Sequence, residues 1–118
     1  MSDLLFYTML AFLVTHELDA MRRHEWRLLP LTSFLPEKTG EQLFIWAHVP
    51  LIVAIIWFGC LAPGSVFSQC LSGFAIFHIG MHWLFRNHAA NEFKGFTSWA
   101  LIIGAGLLGS CHLMALHL

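Results

Sequence analysis

Charge is scarce in this sequence. Of 118 residues only six are Lys or Arg and seven are Asp or Glu. That is 11% of the chain, against about 25% in soluble domains, and too little to cover a water-facing surface. A net charge of −1 supplies no basic face for nucleic acid. Cys60, Cys70 and Cys111 are too few and too far apart for a disulfide framework or a CxxC zinc site. The apolar N-terminal run has no basic residue before it and no small-x-small cleavage site, so it is expected to be a retained span and not a cleaved signal. No GxSxG elbow and no phosphate-binding glycine loop is present. What remains is strongly apolar: 58% hydrophobic residues and a mean hydropathy of +0.69. Such a composition excludes disorder and predicts one integral membrane domain.

Four apolar stretches stand out, at about 4–21, 43–61, 66–85 and 96–116. Each approaches the ~20 residues that cross a ~30 Å hydrocarbon core as a helix. The fold expected is therefore all-α, a four-helix membrane bundle over residues 1–118. Ala62-Pro63-Gly64-Ser65 is a tight hairpin, and Asn87–Gly95 is a polar connector. Arg22–Gln42 is longer and mixed; its Trp26, Leu28, Leu29, Phe34 and Leu35, broken by Pro30 and Pro36, suggest a segment in the headgroup layer. All six basic residues fall at or in the first and third connections. Under the positive-inside rule these are cytoplasmic, which places both termini outside an inner membrane. Trp26, Trp46, Trp83 and Trp99 then gather on that same side, where an aromatic belt belongs. In the fourth stretch Ala100/Gly104 and Ala105/Gly109 are small-xxx-small pairs suited to ordinary close packing.

Against this background the polar residues are conspicuous, since unpaired polar groups in hydrocarbon cost several kcal/mol. Once the orientation is set, His16, His48, His78 and His82 lie on three helices at one depth, roughly 5–10 Å below the cytoplasmic surface. His16 and Asp19 share a helix face at i, i+3, and His78 and His82 share one at i, i+4. Two histidines at i, i+4 can bind one metal ion. If the connector is helical, His88 and Glu92 form a second such pair. Imidazole with carboxylate favours zinc, non-haem iron or manganese over thiolate chemistry. Glu17 and Glu92 are candidate general bases; Glu17 and Glu25 are otherwise expected to pair with Arg22, Arg23 or Arg27. A lone membrane histidine such as His48 more often bonds a backbone carbonyl than a metal. At the opposite end His112 and His117, near Cys60, Cys70 and Cys111, are candidates for a second, softer site.

His16-Glu17-Leu18-Asp19-Ala20 begins like HExxH, but Ala20 stands where the second His is required. His78-Ile-Gly-Met-His82 has the spacing of the first box of membrane fatty-acid hydroxylases and desaturases. His88-Ala-Ala-Asn91-Glu92, however, supplies one histidine where their later boxes carry more. Thr15-His16-Glu17-Leu18-Asp19-Ala20, followed by His24-Glu25-Trp26-Arg27, resembles the signature of small bacterial four-span membrane proteins. It is also similar to the HXXEE group, whose first span carries a His followed three residues later by an acid; Asp19 fills that position, and Ala20 replaces the second acid. That resemblance implies a membrane metalloenzyme and names no substrate.

Three functions are therefore open. The first is a metal-dependent membrane enzyme, a hydrolase or an oxidoreductase, acting on a membrane lipid or other apolar substrate with the ion held by His16, Asp19, His48, His78, His82 and His88. The second is a haem-binding electron carrier with bis-His ligation, for example His48 with His78. The third is a structural or accessory subunit whose polar cluster serves helix packing. A bundle this small can also form a homo-oligomer. The topology is open to direct test by cysteine accessibility. A cysteine placed at Ser65 is expected to label from outside, and one at Thr39 only after permeabilisation. The reverse pattern would invert the orientation.

Overall fold

The computed structural model describes residues 1–118 and is all-helical. Helix α1 covers Ser2–Arg22, and one turn of 3-10 helix follows at Glu25–Arg27. Helix α2 runs over Glu37–Ala54 and continues as a π-helix over Ile55–Cys60. Helices α3 and α4 cover Val66–Leu84 and Phe96–Leu116. Three helices, α1, α2 with its π-helical end, and α4, are long and apolar enough to cross a membrane. Helix α3 has 19 residues, enough length to span, but Ser68, Gln69, Ser72, His78 and His82 dilute its apolar character. The longest dimension is 46 Å, close to the ~40–45 Å of a bilayer with its headgroups.

Polarity is distributed inside out. Only 27 of 118 residues are buried, and the buried polar or charged ones (His16, Asp19, Ser68, Ser72 and His78 among them) are as numerous as the buried hydrophobic ones. Large apolar side chains such as Trp57, Phe58, Phe77 and Leu107 point outward. Water would reverse that arrangement; lipid permits it, because tails are as apolar as leucine and association relies on close packing and interhelical hydrogen bonds.

Helix α1 presents Phe6, Met9, Leu13, His16 and Ala20 inward, the alternating three- and four-residue spacing of a single helix face. Helix α4 packs against both α1 and α3. Its Ala105 and Gly109, the second small-xxx-small pair, lie buried in this contact. A Cβ built at Gly109 would stand 2.8 Å from the Ser72 carbonyl oxygen, and one at Gly106 would run into Ile79. The hairpin is as expected: Gly64 takes a positive φ of 87° that only glycine adopts freely, and the Ser65 hydroxyl caps α3 by accepting from the Ser68 N–H.

Helix α2 is the peripheral element. It buries only Gly40, Phe44 and His48, and it carries Pro50 in its interior, which deletes one backbone hydrogen bond and favours a bend. Its ends are fastened: Gly40 sits against Trp26, and the Tyr7 hydroxyl donates to the Cys60 carbonyl at 2.8 Å. Between helices α1 and α2 the chain is largely non-helical; of the apolar residues read as a headgroup-layer stretch, Phe34 stands exposed, whereas Trp26 and Leu28 are buried in the core. Two sequence expectations are corrected. Trp26 is buried in the core and does not join an exposed belt. The 87–95 connector is irregular, so His88 and Glu92 are not stacked on one helical face.

The tight α3–α4 crossing predicts a contrast between glycines. Gly109→Ala must push the helices apart and is expected to destabilise by about 1–3 kcal/mol. Gly80→Ala, whose Cβ would meet nothing within 4 Å, is expected to leave stability unchanged or slightly raised. Thermal unfolding in detergent measures both.

Candidate metal centre

At the basic end of the bundle three imidazoles converge. His78 Nε2 lies 2.9 Å from His16 Nε2 and 3.0 Å from His82 Nε2. The fourth member is Glu25, whose Oε1 stands 3.6 Å from His82 Nε2. All four residues are buried, and their ligand atoms lie within 4.8 Å of one another. Helix α3 supplies two of them one turn apart, α1 supplies His16, and a turn supplies Glu25.

That turn has a local cause. Helix α1 ends at Arg22, and His24 adopts the left-handed conformation (φ 55°, ψ 48°), which reverses the chain and directs Glu25 back under the bundle. Histidine is among the few residues besides glycine enriched in this region. His24 Nδ1 is pinned to Glu92 Oε2 at 2.6 Å. Beyond it the Trp26 indole N–H donates to Glu37 at 3.1 Å, and Arg27 Nε donates to both Glu37 oxygens at 2.9 and 3.1 Å. The α3–α4 connector closes the cluster from below, with Phe93 packed on His82 and His16 at ring separations of 4.5 and 5.6 Å. Asn91 holds the connector in shape by donating to the Arg86 carbonyl and accepting from the Phe93 N–H.

The cluster does not satisfy itself by hydrogen bonding. A neutral imidazole carries one proton, so His78 Nε2 either accepts from both neighbours or donates to them with one hydrogen. In every tautomer assignment the Nδ1 atoms of His16 and His78 remain buried without a partner, at a cost of about 1–3 kcal/mol each. Burial, with the Glu17 charge behind it, also pushes the Glu25 carboxyl up to about 8, so at neutral pH it holds a proton. A small cation would use three lone pairs that otherwise compete, and would displace that proton. Ligands about 2.05 Å from a tetrahedral ion are about 3.3 Å apart; the His78–His16 and His78–His82 separations are a few tenths shorter than that, and the whole set lies within 4.8 Å. Beside the cluster Glu25, Met81, His82 and Phe85 border a crevice of about 10 Å³, near the size that admits one water.

The structure brings His16, His78 and His82 together and places the other sequence candidates elsewhere. His48 faces away from them: its Nδ1–H donates to the Phe44 carbonyl at 2.7 Å, and its Nε2 lies 2.8 Å from Glu17. Asp19 accepts from the Ser98 hydroxyl and sits 3.6 Å from both Arg22 and Arg23. His88 is exposed, and its Nδ1 accepts from the Ala90 N–H. Glu92 is engaged by His24 and by Arg27. The expectation that Glu17 and Glu25 pair with arginines is corrected, because neither makes such a bridge: Glu17 holds His48 and Glu25 faces His82. Glu25 was hidden from sequence reasoning because helical periodicity stops at Arg22; the one available signal was a histidine able to adopt a left-handed turn. At the other end the cysteines are free. His112 is buried against Ser72 at 2.8 Å, so no second metal-type group forms there.

The chain belongs to a family of unknown function, DUF6713, whose model matches residues 2–118. No curated protein and no solved structure matches it.

The left-handed turn generates a prediction. His24→Val forces a β-branched residue into that conformation and is expected to cost about 1–3 kcal/mol. His24→Asn, which tolerates the turn, is expected to cost less. Thermal denaturation in detergent measures the difference.

Proposed function

We propose that this member of the family is an integral membrane protein that binds one transition-metal ion through His16, His78, His82 and Glu25, and that it acts as a metal-dependent enzyme on a lipid or other apolar substrate. In this reading both termini lie outside an inner membrane, and the centre sits near the cytoplasmic face. The observation that carries it is the convergence of three buried Nε2 atoms and one buried carboxyl within 4.8 Å. A purely structural role is less well supported. Helix packing gains nothing from three imidazoles whose Nε2 atoms compete with one another, and an apolar replacement of similar shape would be cheaper.

Three nitrogens and one oxygen suit zinc or non-haem iron. Bound there, zinc would supply Lewis acidity toward water or a carbonyl, and iron would supply redox chemistry. Protein groups do the rest. Phe93 and Phe74, the latter packed on His78 at 5.0 Å, keep bulk water from the cluster. Glu25, protonated when no cation is present, is placed to release a proton on binding or to hold one beside the crevice. Haem fits less well, because His78 Nε2 already has two imidazoles within 3.0 Å where a macrocycle would have to lie.

Elemental analysis of protein purified without chelator is expected to find close to one equivalent of zinc or iron, and less than about one-tenth equivalent of any transition metal would overturn the reading. His78→Ala is expected to lower the bound metal at least about tenfold, whereas His48→Ala, His88→Ala and His117→Ala retain it.

A further inference from the structure

Outside the metal cluster a groove of about 330 Å³ opens where α1, the peripheral α2 and α3 diverge. Leu10 and Val14 of α1, Ile52 of α2, and Leu71 and Phe74 of α3 line it, and Glu17 and His48 are its only polar lining residues. Those two form a dyad 2.8 Å apart. His48 already spends its Nδ1–H on Phe44, so a single proton is shared between its Nε2 and Glu17 Oε2. The other Glu17 oxygen makes no hydrogen bond to protein, which leaves an acceptor at one end of an otherwise apolar channel.

We propose that this groove binds the chain of a single-chain, uncharged amphiphile whose head carries a hydroxyl, with that hydroxyl donating to Glu17. The proposal deepens the reading of a metal-dependent enzyme on an apolar substrate, and it rests on that reading for the role of the site. Three observations select the occupant. First, at about 330 Å³ the groove lies at the small end of ligand pockets, roughly 300–1,000 Å³, and its polar groups are confined to Glu17 and His48, which suits one chain with one head and not a two-chain phospholipid. Second, the free polar atom at its end is a carboxyl oxygen that can accept, which favours a head with a hydrogen to donate; a carboxylate head has none to offer. Third, the polar end adjoins the cluster: Glu17 follows His16 in sequence, and Phe74 lines the groove while packing on His78 at 5.0 Å. A head held at Glu17 is therefore brought beside the candidate metal centre.

The test uses full-length protein in detergent with two photoactivatable probes, a diazirine analogue of decanol and one of decanoic acid, and maps adducts by peptide mass spectrometry. The decanol probe is expected to label groove-lining peptides of α1, α2 and α3, to be displaced by plain decanol, and to label at least about tenfold more than the decanoate probe at neutral pH. Val14→Trp and Leu71→Trp each fill the groove and are expected to lower labelling by a similar factor, whereas Leu107→Trp, on the outer face of α4, leaves it unchanged. Glu17→Gln is expected to remove the preference for alcohol over acid. Adducts spread evenly over the exposed faces, labelling insensitive to both filling variants, or equal labelling by the two probes would overturn the proposal. Bound metal measured in the same samples separates the two readings. Loss of labelling with metal retained refutes the groove alone, and labelling that persists in metal-free protein refutes the metal centre alone. Retained metal in Val14→Trp or Leu71→Trp also shows that the filled variant is folded.

Discussion

A polar side chain buried in a bundle of this composition has no water to fall back on, and the architecture follows from that constraint. Every buried donor or acceptor must find a partner on a neighbouring helix or bear a cost of about 1–3 kcal/mol. Ser98 meets Asp19, Ser72 meets His112, and Glu17 meets His48. Each bond joins two different helices, so the polar residues tie together a bundle whose apolar residues face outward. The small residues act in the same sense, since Gly106 and Gly109 let α4 approach α3 closely enough for Ser72 to reach His112. Within this economy the His16–His78–His82 group stands apart because its Nε2 partners are one another, with two neighbours competing for the single lone pair or proton of His78. That competition is the physical basis for placing a cation there.

The bundle was legible in the sequence because composition and helical period report directly on it. The scarcity of charge, the four apolar stretches and the Pro63-Gly64-Ser65 turn were enough for the helices and the hairpin. The trio of histidines was partly legible for the same reason: His78 and His82 share a face by spacing alone, and His16 reaches their level once the helices are laid side by side. Depth says nothing about azimuth, however. His48 lies at a comparable level but on a helix that stands off from the core, so it meets Glu17 and not the trio. Glu25 was illegible because its position depends on one left-handed residue, His24, and on the remote Glu92 that holds it. The connector was legible as a connector, but the roles of Phe93 and Asn91 in it were not, since Phe93 acquires its role only through contacts distant in sequence and Asn91 through the fold of the loop itself.

The weak attachment of α2 has a consequence for chemistry. A fully packed four-helix bundle would enclose the cluster in protein, and an apolar substrate would need to displace side chains to enter. Here α2 is fastened near its two ends, by Gly40 against Trp26 and by Tyr7 against Cys60, and between them by the single Glu17–His48 bond, while Pro50 and the π-helical turns after it deny its middle a regular seam. Widened π turns are frequent at functional sites. Between the two end fastenings a groove remains, with apolar walls and one polar end.

Two consecutive residues of α1 connect this groove to the cluster. Successive side chains on an α-helix diverge by about 100°, so His16 and Glu17 cannot point into the same space. His16 turns inward to His78; Glu17 turns toward α2 and His48. One helix wall thus serves both compartments, a nearly dry cluster of nitrogens on one side and an apolar channel ending in a carboxyl on the other. Phe74 makes the same division on α3, lining the channel while its ring packs on His78. A molecule in the channel is therefore separated from the cluster by single side chains and not by a layer of protein. A change at Glu17 would alter the channel while leaving every nitrogen of the cluster in place, and the two compartments can be varied independently for that reason.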